Sequence, residues 1–469
     1  MTAKITPVLL SGGAGTRLWP ASSVGVPKPF LPLFHGRSTF AATLARVSDP
    51  ALFAAPMVVA RTEHRPLIDR EMAAAGMGAT LVLEPEAMST TAAIAAAATV
   101  AAEQEPDVLL LFLAADHLIG NDAGFHDAVN AAQPAAEAGR IVVFGIAPDG
   151  PHTGYGYIRP GGPLDGSDAV STVAAFVEKP PLDRAKALLA EGCLWNSGNF
   201  FMRADTALAE INRFAPVTAK AASAAVAAAE RWGDAILLAH EPFVTAEPIA
   251  FDHAVLEKTE KTAVVAAHFD WADVGTWQSI WEASDRDPAG NVTDGATALI
   301  DVRESLVTTD GPKIGAIGLS EIAVVAANGS VLVAPRARAG EVRALAEAVA
   351  ETEANAVEPA VETIVDGPSY RVMRLRIAPQ GRLERPASGH TAHWAAVKGN
   401  VELAIKRNFR PLPQGQSLTV LRGSRVEVRN PGAATATVIV IMQRDNRDEA
   451  DIVTLADTAT PATTGRGRA

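Results

Sequence analysis

The chain has little cysteine, few aromatics, no long apolar run and no surplus of positive charge. Cys193 is the single cysteine in 469 residues. One thiol can close no intrachain disulfide and build no cysteine-based zinc cage, which leads us to expect a reducing compartment, the cytoplasm. Aromatic residues make up 5% of the chain and alanine is abundant, so helices have to be read by pattern rather than composition. No stretch reaches the roughly 18 to 20 apolar residues that a membrane span takes. The alanine-rich segment from Thr90 to Ala102 falls short of it, and Pro7–Leu10 is too short for the core of a signal peptide. Forty-one basic residues against 53 acidic ones leave a net charge of −12. That balance excludes a general binder of nucleic acid or of anionic membranes, although a few cations gathered in one cleft could still hold phosphates.

What is present is ordinary for a globular enzyme: 48% hydrophobic and 20% charged residues. The length predicts two or three domains. Residues 1–285 alternate apolar runs (Val8–Leu10, Met57–Ala60, Thr80–Leu83, Val108–Ala114, Ile141–Ile146) with helix-like stretches (Ser38–Val47, His64–Ala75, Thr91–Glu103, Phe125–Gly139). Continuous apolar strands between helices predict an α/β sheet covered on both faces. Pro148–Gly161 and Cys193–Phe201 read as loops. From about 286 to 351, Gly and Asn punctuate short β-like runs, predicting a small β module closed by the helix Gly340–Glu351. Thr352–Thr363 reads as a linker. Residues 364–450 predict a compact all-β domain, and 451–469 a largely disordered tail.

Three groups of residues carry chemistry. Ser11-Gly12-Gly13-Ala14-Gly15-Thr16-Arg17-Leu18 follows the first strand directly. Gly12, Gly13 and Gly15 let backbone N–H groups approach phosphate oxygens, while Arg17 and, eleven residues on, Lys28 add fixed positive charge. The glycine spacing is neither that of a dinucleotide fingerprint nor that of a Walker loop. Asp116 follows the most apolar strand in Leu113-Ala114-Ala115-Asp116-His117, and Asp273 stands in Trp271-Ala272-Asp273-Val274-Gly275-Thr276-Trp277. Two carboxylates from distant segments suit Mg²⁺, which takes few protein ligands and fills its shell with phosphate and water. His117 reads as structural. Between the aspartates lie Gly154-Tyr155-Gly156-Tyr157, Phe176-Val177-Glu178-Lys179-Pro180 and Trp195-Asn196-Ser197-Gly198-Asn199. A carboxylate and an amide there are apt partners for vicinal hydroxyls.

The string Gly-Gly-x-Gly-Thr-Arg-Leu-Trp-Pro, followed by Pro-Lys-x-Phe-Leu, resembles the sugar-nucleotide pyrophosphorylases. Trp19-Pro20 and Phe30-Leu31 resemble their mannose-1-phosphate guanylyltransferase branch rather than the uridylyl and thymidylyl relatives. The resemblance implies a Rossmann-like, GT-A-like mixed sheet in the α/β nucleotidyltransferase domain, then the small β module and a C-terminal cupin-like domain. It implies GTP and mannose 1-phosphate as substrates. Gly12, Gly13, Gly15, Thr16, Arg17 and Lys28 would bind the nucleotide phosphates, with Arg17 and Lys28 catalytic. Asp116 and Asp273 would hold the magnesium. Gly154, Glu178, Lys179 and Asn196 would bind the sugar phosphate, with Lys179 on its phosphate. Phe251-Asp252-His253-Ala254-Val255-Leu256 resembles a family helix of structural role. The oligomeric state, a homo-oligomer included, stays open.

Two stretches depart from the family's pattern. After Leu83-Glu84-Pro85 the family shows Gly-Arg-Asn-Thr-Ala-Pro-Ala, whereas this chain reads Ala87-Met88-Ser89-Thr90-Thr91-Ala92-Ala93. In the cupin-like domain the isomerase motif Gln-x-His-x-His-Arg-x-Glu-His-Trp becomes Arg385-Pro386-Ala387-Ser388-Gly389-His390-Thr391-Ala392-His393-Trp394, and a downstream histidine becomes Val426. A transition-metal site takes about three or four protein ligands, so the domain reads as an isomerase remnant. Two other readings stand beside the monofunctional enzyme: a bifunctional isomerase and guanylyltransferase, and a non-catalytic nucleotide-sugar-binding regulatory subunit.

Overall fold

A computed structural model describes residues 4–12, 15–22, 25–34, 36–164, 167, 169–355, 361–367, 369–385, 390–405 and 408–443. Gly13 of the glycine loop, residues 386–389 of the C-terminal motif and the tail 451–469 lie outside the described residues. The chain forms two compact units, 1–350 and 351–469.

Unit one is built on an eleven-stranded mixed sheet. Its parallel centre runs Ala235–Leu237, Thr80–Glu84, Met57–Arg61, Thr6–Leu10, Leu109–Ala114. Successive side chains of a strand point to opposite faces, and here both faces are buried. Leu9, Val58, Leu81 and Leu111 feed one core with Phe40, Phe125 and Phe144. Val8, Val59, Val82, Leu110 and Phe112 feed the other. That explains why the strands read as unbroken apolar runs rather than alternating ones.

On the second face lies the helix Ser89–Ala102, whose residues Ala92 to Ala98 are all buried. Alanines let the helices Ala204–Phe214 and Pro216–Ala227 pack closely against it, through Ala207, Ala221, Ala222 and Ala225. The alanine run is a core helix.

One segment read as a loop is a strand. Leu194–Arg203 lies antiparallel between Leu109–Ala114 and Ile141–Ile146, in the middle of the sheet. Its polar residues hid it, because the chain itself satisfies them: Asn199 Oδ1 accepts the Ala114 N–H at 3.1 Å across to the next strand, and Asn196 Nδ2 donates to Asp252. Likewise Tyr157–Pro163, read within a loop, forms an edge strand.

The rest of unit one is a set of short strands. Val292–Asp294, Leu306–Thr309 and Ile322–Ala327 pair in parallel, as do Thr297–Ile300 and Ile314–Ile317, each rung one turn of chain further on. Leu306, Ala323, Val325 and Leu332 share a core with Leu18, Leu31, Trp277 and Trp281. This module therefore backs the glycine loop, and Asn328 Nδ2 donates to the Pro20 carbonyl at 2.9 Å.

Unit two is two antiparallel sheets, one of five strands and one of four, closed over Trp394, Leu403, Val426, Val428, Val438 and Val440. This is the cupin-like β domain expected from the sequence. The stretch 352–363 read as a linker is not one throughout: the preceding helix runs to Asn355 and a strand begins at Val361. Strand alternation buries Ala392 and Trp394 and turns His393 outward, where Nδ1 meets Thr419 Oγ1 at 2.8 Å. No helix among the described residues is long and apolar enough to cross a membrane.

Candidate active site

Asp116 and Asp273 are 157 positions apart in the chain, and a two-residue pairing brings them together. Leu118–Ile119 and Trp271–Ala272 lie antiparallel, Ala272 opposite Leu118 and Trp271 opposite Ile119. Asp116 precedes the first of these short strands and Asp273 follows the second, so both emerge at the same end. One ligand atom from each of Asp116, His117 and Asp273 falls within 4.8 Å of the others. Two carboxylates suit a hard divalent ion that keeps water or phosphate in its remaining positions, and the imidazole nitrogen is a third, softer donor. The donor set fits the ion that the motifs imply.

Lys28 stands between the two carboxylates. Its Nζ is 2.9 Å from Asp116 Oδ2 and 2.8 Å from Asp273 Oδ1, and its side chain is 6% exposed. The short turn Lys28–Phe30 is fixed by the glycine loop. Gly15 has φ of 59°, and a Cβ placed on it would lie 2.7 Å from Lys28 Cβ. Glycine is required there on both counts. Burial alone would push the Asp273 carboxyl up, but the charges of Lys28, His117 and Arg17 outweigh it and hold it down at about 2. Burial would likewise lower the Lys28 ammonium; Asp116 and Asp273 more than offset that and raise it above its usual value.

Gly12, Thr16 and Arg17 are exposed around the loop. Arg17 and Asp273 flank Gly275, where an added Cβ would meet Asp273 Oδ1 at 3.3 Å and Arg17 Nη2 at 3.5 Å. His117 is more closely involved than a structural reading suggests. Its Nδ1 lies 3.1 Å from the Ser197 carbonyl and 3.3 Å from the Trp271 indole N–H, one of which it serves in each tautomer, and its Nε2 faces Asp116.

The residues expected on the sugar side form a second group. Lys179 Nζ pairs with Glu178 Oε1 at 2.7 Å; the lysine is 60% exposed and the glutamate 8%. Asn196 donates from Nδ2 to Asp252 Oδ1 at 2.8 Å and accepts the Gly198 N–H on Oδ1 at 3.2 Å. Gly156 carries no side chain because Glu178 Oε2 would meet a Cβ at 2.5 Å. Gly154 N–H donates to His152 Nδ1 at 3.1 Å, and the His152 ring stacks on Tyr155 at 3.7 Å. Tyr155 in turn packs edge-on against Trp195 and Trp271, at 5.0 and 5.1 Å, linking this group to the strand that precedes Asp273.

Two further carboxyl residues, Asp252 beside Asn196 and Glu84 at a strand end, were not candidates in the sequence reading. Asp252, placed in a structural helix, orients Asn196; burial and the neighbouring Glu178 push its carboxyl up to about 7. Glu84 closes the strand Thr80–Glu84 at its carboxyl end, 7% exposed, with Oε1 buried and without a partner. Burial pushes it up to about 8. A charged residue ending an apolar run was the available signal, since ligands gather beyond the carboxyl ends of such strands.

Comparison with known proteins gives the family. Residues 6–290 match the nucleotidyl transferase family. A mannose-1-phosphate guanylyltransferase from Klebsiella pneumoniae is 35% identical over 97% of this chain and 99% of its own. The chain belongs to the mannose-1-phosphate guanylyltransferase family. Another relative, 36% identical over 97% of this chain and 98% of its own, is the xanthan biosynthesis protein XanB of Xanthomonas campestris. Among solved structures, the Thermus thermophilus protein described as a mannose-1-phosphate geranyltransferase superposes with a TM-score of 0.66 at 31% identity. It covers 74% of this chain and 99% of its own. A mannose-6-phosphate isomerase from Helicobacter pylori aligns with a TM-score of 0.50 at 27% identity, over 58% of this chain and all of its own. The relatives of the guanylyltransferase family thus span both units of this chain.

Proposed function

We propose that the protein joins mannose 1-phosphate to GTP, forming GDP-mannose and releasing diphosphate, in the cytoplasm. The observation that carries this reading is the meeting of Asp116 and Asp273 beside a lysine whose backbone touches the glycine loop. A phosphate oxygen of the sugar attacks the α-phosphorus in line, and diphosphate departs on the far side. The attacking phosphate is already ionised at neutral pH, so no general base is needed. Catalysis is then positioning and electrostatics. Arg17 and Lys28 take the triphosphate, and Lys179, exposed beside Glu178, takes the sugar phosphate. Glu178 and Asn196 orient the hydroxyls, with Asp252 holding Asn196 in place. Asp116 and Asp273 would hold magnesium, which would supply neutralising charge for the phosphates.

Unit two serves this reading as an isomerase remnant. Ala392 and Val426, which stand where the family motif has glutamate and histidine, are buried in an apolar core, and His393 faces outward. Diphosphate release from GTP plus mannose 1-phosphate, with and without Mg²⁺ and with ATP, CTP and UTP in parallel, tests the proposal. Release that needs mannose 1-phosphate and Mg²⁺ and favours GTP is the expected result; none with any nucleotide would sink it.

A further inference from the structure

The position of Lys28 sets a condition on how the divalent ion arrives. Its ammonium sits 2.9 and 2.8 Å from one oxygen of each carboxylate. A magnesium-sized ion on those carboxylates would lie roughly 2.0–2.1 Å from its oxygens. Two cations that close to the same pair of oxygens are only a few ångströms from each other, and their repulsion scales inversely with that distance. The two oxygens that Lys28 holds therefore take one cation at a time. We propose that Lys28 is an exchangeable counter-ion for the Asp116–Asp273 pair. It is drawn off by the phosphates of an incoming nucleotide, so that the divalent ion is bound well with the nucleotide and poorly by the protein alone.

This rests on the assignment of Asp116 and Asp273 as the metal pair. Several features of the fold support the exchange. Lys28 is buried, so its charge cannot leave the carboxylates for nothing; an uncompensated buried cation is costly. A compensating anion has a place to bind nearby, because the stem of Lys28 is in contact with Gly15 of the glycine loop. Lysine suits a change of partner better than arginine would, being a point charge on a flexible four-carbon stem rather than a planar fork. Arg17, exposed on the other side of Gly275, stays available to the phosphates throughout.

The test is binding of Mn²⁺, read by the electron paramagnetic resonance of the free ion, to the full-length protein without any nucleotide. Wild type is expected to bind Mn²⁺ weakly, and Lys28→Met to bind it about tenfold more tightly or better, since one competing positive charge is gone. The double variant Lys28→Met/Asp273→Asn is expected to lose that gain. Equal affinity in wild type and Lys28→Met, with Asp273→Asn weakening both, would overturn the exchange and leave the metal pair standing. Mn²⁺ binding that neither Asp116→Asn nor Asp273→Asn changes, with or without GTP, would overturn the metal pair itself. A measurement on wild type covers the case in which Lys28→Met fails to fold: acetylation of Lys28 by a water-soluble ester, followed by mass spectrometry. Labelling should rise when Mn²⁺ saturates the site; unchanged labelling at saturation also overturns the proposal.

Discussion

Two carboxyl groups of this unit, Asp273 and Glu84, are shifted in opposite directions. Asp273 is held down at about 2 and is ionised at any pH the protein will meet. Asp273→Ala is expected to keep the fold, by circular dichroism, and to lose turnover by an amount worth on the order of 2.7–4 kcal/mol, the range for single electrostatic groups elsewhere. Near-normal rates would remove it from the metal pair. Glu84 is moved from 4.5 to about 8 by burial, so the folded state holds its proton where the unfolded chain does not. Its contribution to stability is complete below about 4.5 and is lost as the pH rises to 8. Glu84→Gln should therefore melt close to wild type at pH 5 and above it at pH 8.5; a gap that stays constant with pH would contradict the shift. The strings that carry Arg17, Lys28, Asp116, Lys179 and Asp273 could be picked out as candidates in the sequence because each sets charge in a recognisable pattern. Glu84 and Asp252 could not, because their significance lies in what surrounds them, an unpaired oxygen in one case and the Asn196 amide in the other.

At the level of elements, unbroken apolar runs identified five strands of the sheet to within a residue or two, since a strand covered on both faces has no reason to alternate, but missed the parallel strands Ala235–Leu237 and Thr262–Ala267. The strand Leu194–Arg203 defeated the same reasoning. Its Asn196, Ser197 and Asn199 are buried and satisfied by the chain itself, and Gly198, with φ of 72°, leaves room for the His117 ring. Polarity in a central strand marks here the floor of a site rather than a loop. Asn199→Ala removes the acceptor for the Ala114 N–H, two residues before Asp116. Leaving that buried donor unpaired should cost about 1–3 kcal/mol, measurable by urea unfolding, and should lower turnover as well. A loss of stability with full turnover would show that the strand end does not position Asp116.

On the scale of the whole molecule, every residue assigned to the transferase site lies in the unit 1–350. The Thermus thermophilus relative covers 74% of this chain with 99% of its own, a share equal to that unit. A fragment ending at Asn355 is expected to fold and to release diphosphate at the full-length rate, whereas inactivity of a folded fragment would give the C-terminal unit a part in the reaction. For the full-length protein, conversion of mannose 6-phosphate to fructose 6-phosphate, followed by proton NMR, should stay at the uncatalysed level. Measurable conversion would mean that unit two is more than a remnant. The clasp formed by Leu118–Ile119 and Trp271–Ala272 has a consequence for the order in which this protein becomes an enzyme. A ribosome that has made the first 250 residues has already delivered the glycine loop, Lys28, Asp116 and the sugar-side residues. Until Trp271 emerges, that nascent chain has only one of the two aspartates proposed to hold the metal and cannot form the short pairing that sets it beside the other, so the proposed site is completed at a single late moment of synthesis.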